Sequence, residues 1–225
     1  MSLNESKGNM YSWVTHTWNT VKGECPHGCT YCYMKRWGKQ RPAYFDKREL
    51  KTDLGIDNFI FVGSSCDLFA EGIPREWTGE TLRHCAKYPN RYLFQSKDPL
   101  RMGSFYELFN LARAVCTTIE TNRWYPEIMV HSPRPADRAD GLEAIGNRVD
   151  RFVTIEPILD FDLNPMVELI KRCEPKQVNI GADSGGNGLP EPPAEKVLAL
   201  IDALKGFTQI DQKRNLGRLL KADKA

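Results

Sequence analysis

Asn58-Phe-Ile-Phe-Val-Gly63-Ser64-Ser65-Cys66-Asp67 reads as one buried strand followed by its polar end. Four apolar residues in succession, with no polar alternation, describe a strand covered on both faces. The same unit recurs along the chain. Strands are expected at 91–94, 114–119, 151–155 and 177–181, ending in Gln95-Ser-Lys97, Glu120-Thr-Asn122, Glu156-Pro157 and Asp183-Ser184. Helices are expected between them, over about 75–88, 102–111, 133–145 after a proline-rich turn, 165–173 and 195–204. Tyr11 to Asn19 alternates large apolar and polar residues and suits a first strand. Strands alternating with helices argue for an α/β fold of parallel strands with outer helices. Six such units with polar C-terminal strand ends describe a partial (β/α)6 TIM-like barrel, whose chemistry sits at that end. The alternation alone leaves a doubly wound sheet open.

Between the first two strands lies Cys25-Pro-His-Gly-Cys29-Thr-Tyr-Cys32, a C-x3-C-x2-C spacing. Close-set thiols in a chain without a disulfide framework point to a metal or cluster. Three ligands leave one iron of a cluster open, whereas a structural zinc site takes four, for which His27 is the available fourth. The chain has 225 residues, 31 basic against 29 acidic, and 7 cysteines. That length suits one domain. The near balance of charge does not announce nucleic-acid binding, although it permits a local basic patch. No apolar run approaches the ~18–20 residues of a membrane span. Residues 1–10 are expected to be a disordered leader without a signal peptide, and residues 11–225 a single domain with a basic C-terminal helix or tail. A reduced, cytoplasmic setting is expected.

The cysteine loop resembles that of the radical S-adenosylmethionine (SAM) superfamily, C-x3-C-x-aromatic-C, which Cys25, Cys29, Tyr31 and Cys32 match. More narrowly, the chain is similar to a phage and bacterial group related to spore photoproduct lyase. The carriers are Trp18-Asn19, the cysteine loop, Phe61 to Phe69 with Ile73-Pro74, Gln95 to Lys97, Thr118 to Asn122, Ile155 to Leu159 and Ile180 to Gly185. That group usually has a wider first cysteine gap; here the gap is that of the superfamily.

The resemblance implies that Cys25, Cys29 and Cys32 hold a [4Fe–4S] cluster whose unique iron binds SAM. One electron from a flavodoxin- or ferredoxin-like donor would then give a 5′-deoxyadenosyl radical that abstracts hydrogen from a substrate. Tyr31 would lie near the adenine, and Ser64, Ser65 or Asp67 would meet the SAM amino group. Glu120 and Asn122 would serve the ribose or carboxylate, and Glu156, Asp183 and Ser184 SAM or substrate. Lys97 would pair with the SAM carboxylate or a substrate phosphate, and Cys66 would be a hydrogen-atom donor. The implied enzyme is a lyase or transferase, with DNA or a nucleotide as substrate and a partner protein completing the site.

Plainer readings stand beside these. Cys66 also fits a packing cysteine, as do Cys85, Cys116 and Cys173. The strand-end acids also fit helix caps. Arg36, Trp37, Lys39, Arg41 and Tyr44 form a basic-aromatic cluster that suits either a solvated loop or a grip on single-stranded nucleic acid. Alternatives to the enzyme are a non-catalytic iron–sulfur sensor that binds nucleic acid and a structural zinc protein.

Overall fold

The computed structural model describes residues 3–221. Its strands are β1 (Asn4–Glu5), β2 (His16–Trp18), β3 (Val21–Lys22), β4 (Tyr44–Phe45), β5 (Phe59–Val62), β6 (Arg91–Gln95), β7 (Ala112–Thr118), β8 (Asp150–Ile155), β9 (Gln177–Ile180) and β10 (Gln209–Gln212). The helices are α1 (Arg75–Cys85), α2 (Pro99–Met102), α3 (Tyr106–Leu111), α4 (Pro126–Met129), α5 (Pro135–Ile145), α6 (Leu163–Arg172), α7 (Ala194–Lys205) and α8 (Gly217–Lys221). One sheet has the order β1-β2-β5-β6-β7-β8-β9-β10, and β3 and β4 form a separate antiparallel pair. Every neighbouring pair from β2 to β10 is parallel; β1 alone runs antiparallel. Among the described residues β1 and β10 are the sheet's two ends, so the barrel is open, and the α/β partial-barrel expectation holds.

The period-2 geometry of strands sorts each one into two faces. Ile60 and Val62 of β5 join Tyr92, Phe94, Val115, Val153, Val178 and Ile180 in the core beneath the helices. Phe59 and Phe61 point the other way, with Leu93, Ala114, Cys116 and Phe152, into the concave interior. Each helix answers with an apolar stripe. On α6, Met166, Leu169 and Ile170 are buried at i, i+3, i+4 spacing, each contributing about 1.5–3 kcal/mol relative to exposure. Asp98 caps α2 by accepting from the Arg101 amide at 3.0 Å, and proline opens α2, α4 and α5, where a missing N–H costs nothing.

Four expectations are corrected. The first strand covers only His16–Trp18; Tyr11 to Val14 instead fills the barrel interior, where Trp13 packs edge-on against Phe152 and tilted against Phe59. The alternating apolar residues there are used for lining a concavity, which strand pattern alone does not distinguish from pairing. The leader is not disordered over residues 3–10: Asn4 and Glu5 pair with Thr17 and His16. Residues 1–2 lie outside the described residues. The helix expected over 102–111 is broken at Gly103-Ser104, with α2 ending at Met102 and α3 starting at Tyr106; glycine is a poor helix former, and here it lies close against Ile145 of α5. Finally, Gln209–Gln212 adds a seventh parallel strand ahead of the basic tail, of which 222–225 lie outside the described residues.

Candidate functional site

The first strand–helix unit is the exceptional one. Where a helix would follow β2, the antiparallel pair β3–β4 forms the base of an excursion that carries the cysteine loop and a short 3-10 turn over Tyr33–Trp37. The loop is a chain of turns, with Gly28 N donating to Cys25 O, Cys32 N to Cys29 O and Lys35 N to Cys32 O. Two backbone hydrogen bonds, Thr30 N to Ile128 O (3.0 Å) and His131 N to His27 O (3.1 Å), dock it on the segment carrying α4. Gly28 at φ +65° permits this close fold.

Cys29 is buried, 3.8 Å from Met129 O and 3.6 Å from Ser132 Oγ. Cys25 and Cys66 share one proton environment: the neighbouring Cys66 thiol holds Cys25 below the ordinary thiol range, while Cys25 and burial push Cys66 up. Burial holds Cys32 above the ordinary thiol range. Behind the loop lies Asp67, whose carboxylate accepts from His27 Nε2 (2.8 Å), Ser96 Oγ (2.9 Å), Lys97 N (2.9 Å) and Phe69 N (2.9 Å). It straps the cysteine loop to the ends of β5 and β6. Its oxygens are thus engaged within the protein, and His27 is committed to it through Nε2.

Beside the thiols sits a second buried group. Tyr31 donates its hydroxyl to Glu120 Oε1, Arg138 Nη1 donates to Oε2 at 2.7 Å, and Lys97 Nζ lies 3.7 Å from Oε1 and 5.2 Å from the Tyr31 ring centroid. Burial disfavours the Glu120 carboxylate, yet Arg138 and Lys97 outweigh it and hold it below its ordinary range. Burial likewise opposes the Lys97 charge, but Cys29 and Glu120 raise it. Two cations therefore face one carboxylate next to three thiols. The Arg138 Nη2 is buried and finds no hydrogen-bond partner among the described residues, a donor that costs free energy unless something anionic meets it.

The remaining candidates separate from this group. Ser64 and Ser65 are clamped by Asn19, with Ser65 N donating to Asn19 Oδ1 at 2.9 Å. Asn122 exchanges hydrogen bonds with Asp162 and so ties the loop after β7 to the one after β8, whereas Asp183 accepts from Gly185 N and Asn187 N within its own loop. Glu156 forms a second polar cluster with Asn9 (2.6 Å), Lys213 (2.5 Å) and Asn215 (2.9 Å), where Asn215 also donates to Ser184 Oγ. Between the two groups runs a polar interior: Tyr11 OH contacts Gln95 Oε1 and Thr154 Oγ1, both at 2.7 Å. Sequence reasoning missed Arg138, whose signal was a charge in the apolar register of α5 beside Ala139, Leu142 and Ile145. It also missed Asn9, Lys213 and Asn215, which carry no local signal.

Among the described residues, no three His, Cys, Asp or Glu side chains converge as they must around one metal ion. The donor set does fit a cluster: three soft thiols on one loop, with buried cations to offset their charge as thiolates. No helix among the described residues is long and apolar enough to cross a membrane.

Fold and site together define an open parallel α/β barrel with a three-cysteine loop at the C-terminal ends of its strands. The chain belongs to the family described as protein of unknown function (DUF5131), whose model matches residues 9–192. Among solved structures it is similar to methylornithine synthase, at 11% identity and a TM-score of 0.53, covering 86% of this chain and 63% of that one. It is also similar to a spore photoproduct lyase mutant with bound AdoMet and dinucleoside spore photoproduct, at 11% identity and a TM-score of 0.51, covering 92% of this chain and 66% of that one. A second mutant of that lyase gives 9% identity and a TM-score of 0.52, with coverages of 91% and 64%. The chain thus spans less than two thirds of each of these proteins. No curated protein matches it.

Proposed function

We propose that this protein is a radical SAM enzyme in which Cys25, Cys29 and Cys32 hold a [4Fe–4S] cluster. The observation that carries the reading is the buried Tyr31–Glu120–Arg138–Lys97 group set against those three thiols. The similarity to a structure with bound AdoMet supports it. When bound and reduced by an external flavodoxin- or ferredoxin-like donor, a cluster with SAM supplies the 5′-deoxyadenosyl radical that starts hydrogen abstraction.

The chain's own residues do the rest. Lys97 and Arg138 offer positive charge to an anionic group such as the SAM carboxylate, with Arg138 Nη2 as the waiting donor. Glu120 orients both cations and keeps Tyr31 in place. Ser64 and Ser65, held by Asn19, line the approach at the end of β5. Cys66 supports Cys25 through its thiol, and Asp67 braces the loop. Glu156 and Ser184 face the other half of the barrel mouth as substrate-side groups, whereas Asn122 and Asp183 shape the loops around it. The polar interior below keeps these groups oriented, in line with electrostatic preorganisation.

The test is anaerobic reconstitution with iron and sulfide. The wild type should take up about four of each per chain. Cys29→Ala should retain its far-ultraviolet circular dichroism but lose the cluster absorbance. A wild-type chain that binds one zinc ion and no sulfide would overturn the reading.

A further inference from the structure

Cys25 to Phe45 contains Lys35, Arg36, Lys39 and Arg41 and no acidic residue, in a chain whose charges otherwise nearly balance. In this exposed segment beside the cysteine loop, Arg36 and Arg41 lie against aromatic rings, and Lys35 Nζ donates to Gly28 O at 3.2 Å. Trp37 is 67% exposed and Tyr33 47%. The Arg36 guanidinium carbon lies 5.5 Å from the Tyr33 ring centroid and 5.2 Å from that of Trp37. Arg41 sits 3.5 Å from the centroid of Tyr44. An indole left in water forfeits the burial that would otherwise stabilise the fold, so a solvated loop gains nothing from Trp37 at this position.

The face is also preformed. Tyr33 donates its hydroxyl to Ser64 O at 2.9 Å, and Gly38 N donates to Lys35 O at 3.0 Å, closing the 3-10 turn. The far end is pinned where Glu24 N donates to Arg41 O at 2.8 Å and β3 pairs with β4. Gly23, at φ +95°, makes that approach possible, since a Cβ there would lie 2.7 Å from the carbonyl oxygens of both Arg41 and Pro42. A groove of about 270 Å³ is lined by Met34, Gln40, Arg41 and Tyr44 of this segment, by Ser65 just past β5, and by Glu49, whose carboxylate Lys22 Nζ pairs at 2.6 Å. Ser65 is followed directly by Cys66 and by Asp67, whose carboxylate accepts from His27 of the cysteine loop at 2.8 Å.

We propose that this face grips an unpaired stretch of nucleic acid and feeds it along the groove to the cysteine loop. Bases stack on Trp37 and Tyr33, while phosphates run beside Arg36, Lys39 and Arg41. Every base has a π-face, so stacking of this kind tolerates sequence but requires the bases to be unpaired. A duplex hides those faces, and an acidic peptide has no planar groups to use them. That the bound strand is the substrate rests on the radical SAM reading; the binding itself does not.

The experiment is fluorescence anisotropy with the anaerobically reconstituted full chain. The probes are a labelled single-stranded DNA of about 15 nucleotides, the RNA of the same sequence, the matching duplex, and polyglutamate as competitor. Both single strands should bind and the duplex more weakly. Trp37→Ala should lower strand affinity by roughly tenfold, as loss of one stacked base implies. Replacing Arg36, Lys39 and Arg41 together by Gln should make the slope of log K against log salt shallower by about 2, from ~0.7 per phosphate contact on a single strand. Equal binding of duplex, wild-type affinity in Trp37→Ala, or displacement by polyglutamate of equal charge would each overturn the proposal. SAM cleavage measured on the same preparation separates the two readings. Cleavage without strand binding removes the nucleic-acid face alone; strand binding without cleavage removes the radical reading and leaves the face standing.

Discussion

At Glu120 a phenol and two cations meet one carboxylate out of reach of water. Breaking a buried ion pair from one side leaves an uncompensated charge and costs about 3–5 kcal/mol. Glu120→Gln preserves shape while stranding Arg138 and Lys97, and is expected to destabilise by that order in urea unfolding; unchanged stability would show that the cations find other partners. The pH dependence follows from the shifts. Glu120 is held below its ordinary value, so its contribution is present above ~4.3 and lost as pH falls through the lower folded value. Lys97 is held above its ordinary value, so its contribution is present below ~10.4 and lost as pH rises through the higher folded value. Wild-type melting temperature should therefore fall more steeply than that of Glu120→Gln at the acid end. At this scale the cysteines were legible from their spacing, Tyr31 through the resemblance alone, and Lys97 and Glu120 as polar groups at strand ends. Their partners were not: nothing near Asp67 in the chain announces that four donors converge on it, or that Asp183 is engaged by its own loop.

Helix α5 shows how packing between elements reverses a local preference. Glycine inside a helix ordinarily costs about 0.5–1 kcal/mol relative to alanine. At Gly141, however, a Cβ would lie 2.6 Å from Leu100 N and 3.0 Å from Pro99 Cγ, where α2 crosses α5. A backbone nitrogen has little room to yield, so Gly141→Ala should destabilise by about 1–3 kcal/mol, the range of overpacked cores. Urea unfolding checks this, and a stabilised variant would contradict the close crossing. The alternation of strands and helices was readable because buried parallel strands and amphipathic helices have different periods. Element boundaries set by contact were less so. Gly103, where the expected helix breaks, packs against Ile145, forty-odd positions away in the chain, and β10 pairs along the edge that β9 offers.

For the whole molecule, the open barrel brings the C-terminal ends of its seven parallel strands to one rim, and the cysteine loop takes the place of the first helix there. Met10 to Val14 fills the interior below, and Asn9 ties that segment to Glu156 on the far side of the mouth. This closure was invisible to periodicity, since residues that line a concavity and residues that pair as a strand share one apolar pattern. What the site does chemically is decided most directly by anaerobic reduction of the reconstituted chain in the presence of SAM, with 5′-deoxyadenosine measured by chromatography. The expected result is 5′-deoxyadenosine from the wild type and none from Cys29→Ala; an intact, reducible cluster that leaves SAM uncleaved would contradict the enzyme reading.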